Sequence, residues 1–96
     1  MNLQKTWDNG NLDIALEGRL DTATAPELDR ELKADLDRVE KLSFDFEKLE
    51  YISSAGLRVL LWVCQSMEEK GGMKIRNANS IIREIFDITG LSEMLE

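Results

Sequence analysis

The chain of 96 residues contains no histidine and only one cysteine, and each absence excludes a kind of chemistry. Without histidine there is no Ser-His-Asp triad, no histidine base for a thiol nucleophile and no imidazole ligand for a metal. Cys64 has no second cysteine for an internal disulfide, which is typical of a reducing compartment. We therefore expect Cys64 in the core, and a protein that is not an enzyme and needs neither cofactor nor metal.

Positive charge is scarce as well, with 12 Lys and Arg residues against 19 Asp and Glu residues and a net charge of −7. Such a chain repels polyanions, so we expect neither nucleic acid nor an anionic membrane surface as a partner. No long apolar run and no signal-peptide pattern occurs, which favours a cytoplasmic location. The length allows one domain, residues 1–96.

Three segments alternate apolar and polar residues, the pattern of strands with one buried face. Residues 3–7 and 12–16 flank the turn pair Asn9-Gly10, which predicts an antiparallel hairpin. Residues 42–46 predict a third strand, and residues 47–52 a short connection after it.

Helical spacing follows in three places, with a short fourth strand at residues 73–76. Residues 24–39 predict a helix of about four turns, and its opening Thr24-Ala25-Pro26-Glu27 has the spacing of a capping box. The second helix is predicted for residues 55–70, and the third for residues 81–90.

The resulting order, β-β-α-β-α-β-α, predicts an α/β fold. Strands that alternate with helices pair in parallel, so we expect a mixed, mostly parallel sheet of about four strands with an N-terminal antiparallel hairpin. A parallel sheet covered on both faces would have continuous apolar strands, whereas the second and third strands alternate. We therefore expect helices mainly on one face. The residues expected on the wetter face are Asp13, Glu17, Ser43 and Asp45.

Two serines, Ser53 and Ser54, precede the second helix. One of them can cap that helix by accepting a hydrogen bond from a free amide of its first turn. A hydroxyl at this position is also near amides that favour an anion, and a phosphate on it adds a charge of about −1.5 to −2 without unfolding the domain. Gly56 would give the backbone of a partner close access. The residues alone leave capping and phosphorylation open.

The second helix has more apolar residues than one face can hold. Val59, Trp62 and Val63 lie outside the stripe that should face the sheet. Either a neighbouring helix covers this outer side, or it is an exposed apolar surface beside Ser54 that binds a partner. The stripe expected to face the sheet consists of Leu57, Leu60, Leu61, Cys64 and Met67.

A second loop should lie on the same rim as the two serines, because loops that follow parallel strands lie at one end of the sheet. This loop contains Asp21 and Thr22. Asp21 either anchors a partner or competes with Thr22 and Thr24 to cap the first helix, and the residues alone favour the cap.

Three motifs, read together, resemble the STAS family, the sulfate transporter and anti-sigma factor antagonist domain. The match covers nearly the whole chain and reproduces the order of the elements. The resemblance implies a β-α fold with helices on one side of a mixed sheet. The motifs are Glu17-Gly18-Arg19-Leu20-Asp21-Thr22 with the helix start Thr24-Ala25-Pro26-Glu27-Leu28, Leu49-Glu50-Tyr51-Ile52-Ser53-Ser54-Ala55-Gly56-Leu57, and Ile85-Phe86-Asp87-Ile88-Thr89-Gly90-Leu91.

The resemblance also implies a mechanism. In the bacterial anti-sigma factor antagonists, the unphosphorylated protein binds an anti-sigma factor, a serine kinase with a histidine-kinase-like ATPase fold, and so frees the sigma factor. The kinase then phosphorylates the serine two positions before the loop glycine, here Ser54 and less favourably Ser53, and a metal-dependent serine phosphatase reverses the reaction. The residues expected to contact the partner are Asp21, Thr22, Ser53, Ser54, Ala55, Gly56, Val59 and Trp62.

The sequence departs from the family pattern in two places. Ser53 stands where the best-known loops have aspartate, and family members usually continue past this C-terminus with a further strand and helix. These departures leave open an alternative with the same fold, a STAS-type scaffold or sensor subunit of a larger signalling assembly in which Ser54 is only a helix cap.

Overall fold

The computed structural model describes all 96 residues, which form a four-stranded sheet and three α-helices. None of these helices combines the length and apolar character needed to span a membrane. The strands are β1 (Asn2–Asp8), β2 (Asn11–Leu20), β3 (Lys41–Ile52) and β4 (Met73–Arg76). The α-helices are α1 (Ala25–Asp35), α2 (Ser54–Met67) and α3 (Ser80–Ile88), and short 3-10 helices occupy Leu36–Arg38 and Ser92–Met94.

The strands follow one another across the sheet in the order β1-β2-β3-β4. β1 pairs antiparallel with β2, whereas β2–β3 and β3–β4 are parallel, which confirms the predicted mixed sheet and N-terminal hairpin. The hairpin turns at Asn9, whose φ of 57° lies in the left-handed region that asparagine tolerates better than most residues. At the other edge, Leu95 forms an isolated parallel bridge with Ile75 of β4.

One face of the sheet carries the core, as the alternation predicted. The opposite face is polar: Arg76 donates to both oxygens of Asp13 at 2.6 and 3.0 Å, and the Ser43 hydroxyl donates to Asp13 at 2.6 Å. Asp45 joins this network through Arg76 at 3.5 Å, and Glu17 is exposed. The buried core-facing residues of the two central strands are Leu12, Ile14, Leu16, Leu42, Phe44 and Phe46.

Strand β3 is longer than predicted, because it continues through residues 47–52 instead of ending at Phe46. The pairing with β2 shifts between Ala15 and Glu17 and again between Gly18 and Arg19, and at each shift β3 has one residue more than β2. Each extra residue changes which side chains face the core, so the alternation that identifies a strand is lost there.

Helix α1 is shorter than predicted and begins differently. It has 11 residues, about three turns, and the chain then tightens into a 3-10 helix. The predicted capping box is wrong, because the Thr24 side chain makes no capping hydrogen bond. Its hydroxyl instead donates to the carbonyl of Arg19 at 2.8 Å and accepts from the Asp21 amide at 2.9 Å.

Helix α2 packs against α1 as well as against the sheet, so its buried side differs from the predicted stripe. Val59 and Val63 are buried, while Leu61 is 37% exposed and Cys64 is only half-buried, with burial raising the pKa of its thiol. Trp62 is half-buried and donates its indole N–H to Asp29 of α1 at 2.8 Å. Coverage by a neighbouring helix is therefore the correct alternative for Trp62.

A buried carboxylate fastens β1 to the end of α1. Asp35 is 5% exposed and forms ion pairs with Lys5 of β1 and with Arg38 of the 3-10 helix. The hydrogen bond from Lys5 is the main cause that holds the pKa of Asp35 below its ordinary value, although burial opposes it. Asp35 thus stays charged inside the fold because it is paired on both sides.

We predict that Asp35→Asn lowers the free energy of unfolding at neutral pH by about 1–3 kcal/mol, because Lys5 and Arg38 both lose the buried carboxylate and Lys5 keeps only its pair with Glu31 at 2.8 Å. The folded pKa is depressed, so this stabilisation is complete above the unfolded pKa of about 3.9 and is lost as the pH falls through the folded pKa. Urea unfolding between about pH 3 and pH 7 should show the difference between wild type and variant shrinking toward acid. The control is Asp37→Asn, an exposed neighbour. A constant difference across the pH range would refute the assignment.

We also predict that Gly56→Ala destabilises the fold by about 1–3 kcal/mol through overpacking. A Cβ at Gly56 would lie 2.7 Å from Cγ of Leu20 and 2.9 Å from Cγ1 of Ile52. Urea unfolding measures the change, and Ser54→Ala in the same helical turn is the control, expected to alter stability by less than about 0.5 kcal/mol. Equal stability of the two variants would show that α2 can shift away from the sheet.

Candidate functional site

Strands β2 and β3 end side by side and place two loops on one rim. Leu20 pairs with Ile52, and the amide of Ser53 donates to the carbonyl of Leu20 at 2.9 Å. The loop that begins at Asp21 leaves β2 from this pair, and α2 leaves β3 from it. The predicted common rim is therefore confirmed.

The two serines on this rim have different environments. Ser53 is the N-cap residue of α2 with an extended backbone, φ −97° and ψ 175°, but its side chain makes no capping hydrogen bond. The Ser53 hydroxyl oxygen is buried and has no hydrogen-bond partner. Ser54 is the first residue of α2 and is exposed. The predicted capping role is thus wrong for Ser54, which lies inside the helix rather than at the capping position.

The free amides of α2 lie beside Ser54. The first backbone hydrogen bond of the helix runs from the Leu57 amide to the Ser53 carbonyl at 2.9 Å, so the amides of residues 54–56 precede it. These amides form the positive end of the helix dipole, which favours a negative charge nearby. An anionic group on the Ser54 hydroxyl would therefore be placed in solvent and next to a favourable electrostatic field.

Asp21 orders the neighbouring loop. Its carboxylate accepts hydrogen bonds from the amides of Ala23 at 3.0 Å and Thr24 at 3.2 Å, and Arg19 lies 3.7 Å away. Desolvation is the largest single effect and raises the pKa of Asp21, but these hydrogen bonds and the Arg19 charge together lower it. The capping role that the residues favoured for Asp21 is therefore wrong, because both amides precede α1 and the N-cap residue of that helix is Thr24, while Thr22 is exposed beside it.

A groove runs between the N-terminal halves of α1 and α2 and gathers several of the predicted partner-binding residues. Thr22, Ala55, Val59 and Trp62 all line it. Val59 is 8% exposed and so lies deep in the groove.

Gly56 lies outside this groove, buried against β2 and β3. Its missing side chain is required by this packing, so the predicted reason, access for a partner, is wrong. The groove and the exposed Ser54 thus bring together only part of the predicted partner surface, because Asp21 and Ser53, like Gly56, do not line the groove.

Two exposed residues of α2 are absent from the predicted partner surface. Arg58 and Leu61 follow Ser54 by four and seven residues, so the three side chains share one face of the helix. Arg58 also lines the groove. The signal was present as helical spacing from Ser54, but Leu61 was assigned to the core because the position of α1 was unknown.

Comparison with known proteins places the chain in a family. The model of the STAS domain matches residues 2–96. BtrV of Bordetella bronchiseptica, provisionally assigned as an anti-sigma factor antagonist, is 37% identical over 51 residues, which are 52% of this chain and 44% of that protein. The match thus spans less than half the length of this relative.

Solved structures show the same fold. The anti-sigma factor antagonist SpoIIAA in its unphosphorylated form is similar with a TM-score of 0.88 at 20% identity, over 99% of this chain and 86% of that one. The phosphorylated form of SpoIIAA, a Bacillus cell fate determinant, gives a TM-score of 0.80 at 20% identity, over 99% and 89%. Since the family model matches almost every residue and these structures share the architecture, the chain belongs to the STAS domain family.

Proposed function

We propose that the protein is a phospho-regulated binding switch, an anti-sigma factor antagonist. Its unphosphorylated form binds a serine-kinase anti-sigma factor with a histidine-kinase-like ATPase fold and thereby releases a sigma factor. Phosphorylation at Ser54 blocks this binding. The observation that carries the proposal is the exposed position of Ser54 at the first residue of α2, on the rim that it shares with the Asp21 loop.

Electrostatic repulsion alone is large enough to account for a loss of partner binding on phosphorylation. A phosphate adds a charge of about −1.5 to −2 at the rim. Like charges brought together across an interface cost several kcal/mol, and a loss of about 3–4 kcal/mol weakens binding by about 10²–10³-fold. Because Ser54 is exposed, no side chain has to be expelled from the core to admit the phosphate. The switch therefore needs no change of fold.

The exposure of Ser54 also allows its dephosphorylation. A metal-dependent serine phosphatase must reach the phosphate from solvent, and Ser54 is open to it. Ser53 differs, since its hydroxyl oxygen is buried, so a kinase would have to open the start of α2 to reach it. This supports Ser54 over Ser53 as the phosphoryl acceptor.

Affinity purification of the tagged protein from its native cells, with mass spectrometry of co-purifying proteins and phosphopeptides, tests the proposal. The expected result is a serine kinase of the histidine-kinase-like ATPase fold in the eluate and phosphate on Ser54. Absence of any such kinase, together with an unmodified Ser54 at rest and under stress, would favour the scaffold or sensor alternative.

We predict that the purified kinase and ATP transfer phosphate to wild type and to Ser53→Ala, but not to Ser54→Ala. The reason is the contrast between the exposed Ser54 and the buried hydroxyl of Ser53. Intact-protein mass spectrometry counts the phosphates. Phosphate on the Ser54→Ala variant at the wild-type rate would move the acceptor to Ser53 or elsewhere.

We further predict that Ser54→Asp weakens binding to that kinase by at least about tenfold, because one negative charge is added where the phosphate would lie. Calorimetric titration measures the affinity. Ser80→Asp is the matched control, since Ser80 is also the exposed first residue of a helix, α3, and should leave affinity unchanged. Unchanged affinity of Ser54→Asp, or an equal loss in both variants, would contradict the proposed site.

A further inference from the structure

Arg58 is an exposed cation without an ion pair, one helical turn after Ser54. Both residues lie in α2 at positions i and i+4, so their side chains are neighbours on one face of the helix. The order also matters: an anion on the N-terminal side of a cation at this spacing is the favourable arrangement. Arg38 and Arg76 are engaged, with Asp35 and Asp13 respectively, whereas Arg30 is exposed and unpaired like Arg58 but lies on α1 rather than on the helix of Ser54.

The carboxylates around Arg58 are already occupied. Asp29 lines the same groove but accepts from the indole of Trp62 at 2.8 Å and pairs with Lys33 at 2.9 Å. Asp21, on the rim, is held by the amides of its own loop and by Arg19. Arg58 therefore keeps its hydrogen-bonding capacity free on the side of the helix that carries Ser54.

We propose that Arg58 is the intramolecular counter-charge of phosphorylated Ser54, its guanidinium donating hydrogen bonds to the phosphate oxygens. A guanidinium suits this role because its planar array of N–H donors matches two phosphate oxygens at once. The inference rests on the proposed function only in taking Ser54 as the modified residue. Phosphorylation then changes the partner surface at two points, because it adds an anion at Ser54 and draws a cation away from the groove.

The test introduces phosphoserine at position 54 during translation, so no kinase is needed. The second pKa of the phosphate, about 6 in an unperturbed phosphoserine, is measured by ³¹P NMR titration. If Arg58 pairs with the phosphate, this pKa should be about 0.15–0.4 lower in the protein that keeps Arg58 than in the Arg58→Gln variant. Arg58→Lys should restore part of the difference, since lysine supplies charge without the planar donors.

The matched control is Arg30→Gln, which removes an exposed arginine of α1 and should leave the phosphate pKa unchanged. As a second readout, the Nε–H resonance of Arg58 in ¹⁵N spectra should move when phosphoserine replaces Ser54. Equal phosphate pKa values with and without Arg58, or an equal change in Arg30→Gln, would overturn the proposal. Because no kinase takes part, that failure is distinct from failure to recover a kinase from cells.

Discussion

Leu20 of β2 and Ile52 of β3 lie side by side where the pairing of the two strands ends, and the amide of Ser53 closes the ladder on the carbonyl of Leu20 at 2.9 Å. Every candidate functional residue is placed from this pair. The Asp21 loop starts one residue after Leu20, and α2 starts two residues after Ile52. Gly56 packs directly against both side chains. The same contact therefore packs the core and fixes the position of Ser54, two residues earlier in the chain.

The two extra residues of β3 make that constraint possible. They allow the longer β3 segment and the shorter β2 segment to finish at the same level of the sheet. Asn79, the N-cap residue of α3, contacts this segment: its side-chain N–H donates to the carbonyl of Leu49 at 3.1 Å, and its side-chain oxygen accepts from the amide of Ile82 at 2.9 Å. The side chain that caps α3 thus also holds the irregular part of β3 in place. The rim therefore follows a strand that is hydrogen-bonded on its flank, not a free loop.

Features that depend on local sequence were predictable, and those that depend on a neighbouring element were not. The Asn9 turn, the one-sided sheet and the start of α2, predicted at Ala55 and observed one residue earlier at Ser54, follow from patterns within a few residues. The bulges of β3 depend on how it meets β2, and the burial of Val59 in place of Leu61 depends on where α1 lies. The Thr24 hydroxyl donates to the carbonyl of Arg19 instead of capping its own helix, and only the folded loop brings that carbonyl within reach.

Charge explains why the proposed switch has to act locally. The protein already carries a net charge of −7, so one phosphate changes its overall charge only modestly. In addition, ions screen exposed charges beyond about 8 Å at physiological salt, so general repulsion from the protein as a whole distinguishes the two states poorly. The discrimination must come from groups in contact with Ser54. On this rim the Asp21 carboxylate is already committed to its loop, which leaves the free amides of α2 and the guanidinium of Arg58 as the groups that can respond to a phosphate.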